Sequence, residues 1–464
     1  MHHAHMGTIV HATRVVTPGP DPRRARVILI VVAGCTALQM TSYGIIFPLF
    51  ARKIEDFGDG VTVLALSVMA YSLAGVIAAP FMGAAADRFG RRPLVLGSFA
   101  VFAAAFTGYY LAATSATFIL IRGLAGGLTA GLGPATMGLV ADIAPDDERA
   151  RWIGVIGGGT AAGFIVGPVV GGLLYDRWGY GPPFLLAIGI ALVTLLAASL
   201  SIPETHTREQ RRRSELRRRR SERLAPVKGT AQSFVASLPR PPLAFGTLLL
   251  VGFSMVFAWF FIDPQLPFYA FDELGWSTAQ FGAVISCYGW ATLIGSLVLA
   301  RSSDRFGRKP IVVIGLLLHA SLYAGLVLTD VYGAIIVAFI VAGFGEALVN
   351  PALSAAYLDI TPEEHRSRAI GIKTAVGSAG SLLAPALLTV ASPYLAARGV
   401  FLVAGSLIAL TALFVLIVLR LPRPTEVSRD LAWEASQGRV LAAQTVLRNL
   451  TVSAKSARDL RRVA

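Results

Sequence analysis

The sequence predicts an all-α membrane protein: twelve transmembrane helices in two parallel six-helix repeats. Three observations predict it. The chain of 464 residues is 55% hydrophobic and only 15% charged, with a mean hydropathy of +0.64, whereas a soluble domain carries about 25% charged residues. Long runs with few charges, such as Val61 to Ala86 and Pro93 to Ile121, fill most of the sequence, and about 20 apolar residues suffice to cross a bilayer. Finally, the phrase DRFGRRP, Asp87 to Pro93, returns 217 residues later as DRFGRKP, Asp304 to Pro310, in the other half of the chain.

The spans read as 26–50, 61–83, 94–113, 116–141, 151–174 and 182–202, then 242–266, 277–300, 311–328, 333–358, 369–390 and 398–420. Five segments result: an N-terminal tail 1–25, a first bundle 26–203, a linker 204–241, a second bundle 242–420 and a tail 421–464. The linker contains REQRRRSELRRRRSER, too charged to enter a bilayer and without a core of its own; it reads as a cytosolic segment able to lie on anionic lipid. The tail spaces Leu431, Trp433, Val440, Leu441, Leu447 and Leu450 among charges. It is either one amphipathic helix on the membrane surface or a solvated end.

The formal net charge is +14. Its placement, in short clusters between apolar runs and in the tails, argues against a nucleic-acid partner. Basic loops stay cytoplasmic, so Arg88/Arg91/Arg92, Arg149/Arg151, the linker, Arg305/Arg308/Lys309 and Arg366/Arg368 mark one side. The opposite loops hold Glu55, Asp56 and Asp59, or Asp272 and Glu273. Both termini are therefore expected in the cytoplasm of a cell whose plasma (cytoplasmic) membrane holds the protein. The first run is too long for a signal-peptide core and reads as a retained span. Cys35 and Cys287 fall inside apolar runs as small hydrophobes, and no metal site is expected. His2, His3, His5 and His11 belong to a polar leader.

The repeat extends beyond one phrase. ADIAPDDERARWIG (Ala141 to Gly154) matches LDITPEEHRSRAIG (Leu358 to Gly371) at the same offset, and Gly133-Pro134-Ala135 matches Asn350-Pro351-Ala352. Parallel six-helix halves with a substrate site between them are an architecture of secondary transporters. In the loop phrase, Gly90 and Gly307 permit the backbone reversal. Asp87 can pair with nearby arginines or face a helix N-terminus of the opposite half; the other reading of the phrase is topology alone.

Here the sequence resembles the major facilitator superfamily. Gly83 to Arg92, G-x-x-x-D-R-x-G-R-R, resembles the family's loop motif between helices 2 and 3, with Gly83, Asp87, Arg88, Gly90, Arg91 and Arg92 at its positions. The second copy has Asp304, Arg305, Gly307 and Arg308, but Ala300 replaces its first glycine. Arg122-x-x-x-Gly126 resembles the helix 4 motif, and Pro203-Glu204-Thr205 the exit from helix 6. The fifth span carries Gly163, Gly167, Pro168, Gly171 and Gly172. Small residues at i and i+4 let another helix approach closely, and Pro168 removes a backbone donor. In the repeat these positions are Gly380, Ala384, Pro385, Leu388 and Thr389, so the pattern is particular to span 5. It resembles the antiporter motif of the twelve-helix drug:proton antiporters, which implies efflux.

A charge at the bilayer centre costs about 2.5–3.5 kcal/mol on insertion scales, which makes each one a functional candidate. Arg122 lies some two turns into span 4, and its repeat partner is Phe339; the resemblance implies a role in proton transfer. Glu346 sits near the middle of span 10, where it can load a proton or receive a cationic substrate. Asp263, before Pro264, is a further proton-coupling candidate. Lys373 on span 11 either snorkels or faces the cavity. Gln39, Tyr43, Trp259, Tyr288 and Asn350 are the expected cavity wall, aromatic and poor in polar groups as suits a lipophilic ligand.

The reading is a secondary active transporter that exports a small lipophilic compound, neutral or cationic, in exchange for protons. The proton gradient is its energy source, with no cofactor, and its partners are substrate, protons and lipid around a monomer. The alternatives are a proton-coupled symporter for a small polar metabolite and a non-transporting membrane receptor or scaffold. Nothing in the sequence resembles a nucleotide-binding loop or a catalytic constellation, which excludes an enzyme.

Overall fold

The computed structural model describes residues 22–145, 148–204, 241–299, 302–361 and 365–420. Among them, twelve helices are long and apolar enough to cross a membrane. The first half holds α1 (Pro22–Ile46), α2 (Val61–Phe89), α3 (Arg91–Leu111), α4 (Ser115–Ile143), α5 (Arg149–Trp178) and α6 (Gly181–Ser201). The second holds α7 (Pro242–Ile262), α8 (Thr278–Leu299), α9 (Arg308–Leu328), α10 (Tyr332–Asp359), α11 (Arg366–Ala391) and α12 (Ala397–Val418). The tail 421–464 and most of the linker lie outside the described residues. So does the side chain of Asp87.

Large apolar side chains are bare on the outside of this bundle, among them Leu200, Leu297 and Leu328, each more than three-quarters exposed. In water such a surface would aggregate; in lipid it is the ordinary boundary.

The repeated loop phrase is explained by its glycines. α2 turns into α3 at Gly90 (φ 107°), and α8 is followed by the reversal into α9 at Gly307 (φ 90°). Only glycine occupies that region without strain, so both copies need it at the same place. Around the turns, bonds among the described residues join charges to groups of their own half. Arg91 donates its backbone N–H to Glu204 and Arg92 its guanidinium to the Ser199 carbonyl, at 3.3 and 2.7 Å. Arg308 bonds Asp304 and, at 3.1 Å, Asp359. The Glu148 carboxylate joins α1 to the start of α5. It accepts from the Trp152 indole N–H and from Arg26, both at 3.1 Å, and these donors, the indole first, hold its pKa below the usual carboxylate range.

The expected single span 26–50 is interrupted. α1 stops at Ile46, and after a turn at Phe47–Pro48 the chain continues as a short helix, Leu49–Asp56. α7 does the same: a turn at Asp263–Pro264 leads into Gln265–Phe268 and a π-helical turn, Tyr269–Glu273. Each proline lacks the N–H that would continue the ladder, and both halves break their first helix at the corresponding level.

The halves meet where α5 packs on α8 and α2 packs on α11. The cross-half contacts gather at the end remote from the basic loops. Thr62 on α2 bonds Ser392 beyond α11 at 2.9 Å, and the Arg52 guanidinium lies 3.9 Å from the Phe271 ring. Toward the basic-loop end the described cross-half bonds stop at Ser286–Ile165, and the cavity runs on along α11 past Lys373 and Thr374. The bundle is therefore closed at the far end and parted at the loop end.

Candidate functional site

Between the halves lies a cavity of about 470 Å³, within the size range of small-molecule sites. The second half supplies most of its wall. Trp259 of α7 stacks on Tyr288 of α8, with ring centroids 5.5 Å apart. Glu346 of α10 accepts from the Tyr288 hydroxyl and, at 3.1 Å, from the Asn350 side-chain amide. Phe164 of α5 closes the first-half side. Trp259, Tyr288, Asn350 and Glu346, read separately from the sequence, are thus brought together around one carboxylate.

Gln39 is corrected. It is 1% exposed and shares a helix face with Cys35, whose thiol meets the Thr194 carbonyl of α6. The close seating of α1 between α5 and α6 turns this face into the first bundle, so Gln39 is not on the cavity wall. Tyr43 also stands back from it, stacked on Phe164 with centroids 6.2 Å apart.

Of the titratable residues on the wall, His319 was not among those expected there, and the sequence leaves Lys373 between snorkelling and the cavity. His319 of α9 is 2% exposed; its ring lies 6.3 Å from that of Tyr288. A lone histidine in the apolar run GLLLHASLY was the available signal. Lys373 of α11 lines the cavity too, donating to Ser354 at 3.3 Å.

Arg122 occupies a second buried cluster toward the far end. It is 4% exposed, and its Nε and Nη1 have no hydrogen-bond partner. The guanidinium instead lies 4.8 Å from the Phe50 ring and 5.0 Å from the Tyr71 ring. A desolvated cation–π contact contributes about 2 kcal/mol. Tyr43 and Tyr109 are its polar neighbours, and Asp263 of the second half is close enough to interact with both Arg122 and Tyr43. Arg122 of α4 and Asp263 at the α7 break therefore lie within electrostatic range of each other across the halves.

The glycines of α5 form two seams. A Cβ at Gly163 or Gly171 would overlap the carbonyl oxygen of Ala37 or Ile45, and one at Gly167 would sit 2.6 Å from the Gly44 Cα, all on α1. On the other side, a Cβ at Gly172 would sit 2.5 Å from the Thr278 carbonyl oxygen of α8, and Gly282 presses on the Pro168 carbonyl. The first seam holds one half together and the second joins the halves.

Asp176, one turn past Gly172, was not singled out in the sequence. Its carboxylate accepts from the backbone N–H groups of Thr278 and Ala279, at 3.0 and 2.8 Å. It therefore caps α8 from the other half, satisfying donors that a helix start leaves open. Loss of such a cap costs about 1 kcal/mol, and this carboxylate is exposed. We expect Asp176→Ala to shift the population open at the far end by about fivefold. Spin-label distances between the far ends of α5 and α8 check this; an unchanged distribution would refute the latch.

A twelve-helix bundle with a cavity between two parallel halves, closed at one end and parted at the other, defines a membrane transporter rather than an enzyme. The family model described as Major Facilitator Superfamily matches residues 32–272 and 248–457, and the chain belongs to that superfamily. It is 26% identical over 372 residues to a class C tetracycline resistance protein of Escherichia coli, covering 78% of this chain and 88% of that one. It is 24% identical over 367 residues to multidrug resistance protein 2 of Bacillus subtilis (strain 168), with the same two shares covered. Among solved structures, a D-xylose-proton symporter aligns at TM-score 0.63 and 18% identity, over 85% of this chain and 98% of that one. A bacterial homolog of the human lysosomal transporter Spinster, inward-facing and unoccupied, aligns at TM-score 0.63 and 15% identity, over 86% and 96%. These two share the fold.

Proposed function

We propose that the protein exports a small lipophilic compound, neutral or cationic, from the cytoplasm in exchange for protons. The observation that carries this reading is the Glu346 carboxylate on the wall of an aromatic cavity between the halves. A proton and a cationic substrate can compete for that one group, so that loading of one releases the other. The relatives named for tetracycline and multidrug resistance support export of such compounds. The glycine seam of α5, which resembles the antiporter motif, supports the same direction.

With both termini and the basic loops in the cytoplasm of a plasma-membrane protein, the parted end faces inward, ready to receive a cytoplasmic compound. Rocking of the halves then needs the α5–α8 seam, the Asp176 cap and the Thr62–Ser392 bond to open together. Arg122 and Asp263, within electrostatic range of each other across the halves, are charges that can be redistributed during the transition. The working unit is a monomer in lipid, driven by the proton gradient without a cofactor.

Purified protein in liposomes with an enclosed pH dye tests the reading. Under an imposed gradient, lipophilic cations and neutral antibiotics should drive proton movement opposite to their own. A response to sugars alone, with protons moving in the same direction, would replace export by symport.

A further inference from the structure

We infer that the cavity selects amphoteric compounds, with Glu346 receiving the cationic group and Lys373 the anionic one. This rests on the export reading and narrows its substrate class. Both side chains line the same cavity of about 470 Å³. Glu346 is held by neutral donors, the Tyr288 hydroxyl and the Asn350 amide. Lys373 is held by the Ser354 hydroxyl and the face of Tyr357, whose ring centroid lies 5.5 Å from Nζ. Among the described residues, no ion pair joins Lys373 or Glu346 to a protein group of opposite charge.

That arrangement is unfavourable to the extent that the two half-buried side chains are withdrawn from water. A charge taken from water without an opposite partner keeps most of its desolvation cost, and neutral hydrogen bonds recover part of it. Lys373 bonds Ser354, eight residues beyond Glu346 on α10, about 12 Å of helix rise, so the two charged groups do not meet in this arrangement. A ligand with one group of each sign satisfies both at once. A simple cation leaves the ammonium of Lys373 uncompensated and repelled by the ligand. A simple anion does the same at Glu346. Trp259 and Tyr288 supply flat apolar surface for the body of the molecule, which suits an aromatic scaffold carrying the two charges at its rim.

The test compares two dyes that differ at one group. Rhodamine B carries a cationic ring system and a free carboxylate, and its ethyl ester keeps the cation but loses the carboxylate. Binding of each to the purified full-length protein is read by fluorescence anisotropy. The expected result is at least tenfold tighter binding of the free acid by wild type. Lys373→Gln should weaken the free acid about tenfold and leave the ester within about twofold, the size expected of one charge-assisted hydrogen bond. Lys373→Arg should restore the preference, which shows that the charge and not the fold was changed.

Equal binding of the two dyes by wild type overturns the inference, as does binding of neither. Equal weakening of both by Lys373→Gln overturns it too. Proton-coupled movement is measured separately, with the same dyes in liposomes. A preference for the free acid without coupled protons would leave the amphoteric site standing and remove proton-driven export. Coupled movement of the ester with no preference for the free acid would do the reverse.

Discussion

Glu346→Gln should abolish substrate-driven proton movement in liposomes, lowering it at least tenfold, while the purified protein keeps its fold and still binds neutral lipophilic ligands. Glutamine has the shape of the carboxylate. Its side-chain oxygen can still accept from the Asn350 amide or the Tyr288 hydroxyl, the two partners of the native group. What it cannot do is bind and release a proton. The Glu346 carboxylate is half-buried, so its replacement by an amide removes part of a desolvation cost rather than creating one. Thermal stability should therefore be equal to or above that of wild type. Proton movement at the wild-type rate in this variant would transfer the role to another group, with His319 on the same cavity wall and Asp263 near Arg122 the next candidates. Loss of folding would show instead that the carboxylate organises the cavity wall.

The second large effect distinguishes the two seams of α5. Gly171→Ala should destabilise the protein by about 1–3 kcal/mol or more, because the added methyl meets the Ile45 backbone and not a flexible side chain. Gly172→Ala should leave the first bundle intact, since its methyl points across the boundary at Thr278 and Ala279 of α8. Its expected signature is a far end that no longer closes, seen as longer spin-label distances between α5 and α8. Gly157→Ala is the control: nothing lies within 4 Å of the added atom, and neither stability nor distance should change. Three similar outcomes would remove the distinction between an internal seam and a moving one.

The twelve spans and their duplication were legible because they rest on local properties. Apolar length marks a span, and an ungapped 217-residue offset marks the repeat. The glycines at 90 and 307 were legible for the same reason, since a tight reversal restricts the residue type whatever packs around it. The cavity was only half legible. Glu346 stood out because acids are rare in spans, but nothing local told Gln39, buried in the first bundle, from Tyr288, on the wall. Both are polar-tipped residues in apolar helices, and only the seating of each helix decides which face meets the cavity. Asp176 was hidden for a different reason. Next to a loop it reads as a solvated acid, and its partners are backbone amides of Thr278 and Ala279, which leave no mark in a sequence. The breaks at Phe47–Pro48 and Asp263–Pro264 were obscured because apolar residues continue past each proline.

The cap on α8 carries an implication for heredity as well as for mechanics. Asp176 supplies a side chain, whereas Thr278 and Ala279 supply only main-chain N–H groups, which every amino acid except proline offers. The two sides of the latch are thus unequal targets. Nearly any codon change at 176 removes it, while most changes at 278 and 279 leave the receiving amides in place. A genetic screen for variants that open too readily should collect many alleles at one aspartate of α5, and at the start of α8 mainly those that introduce proline.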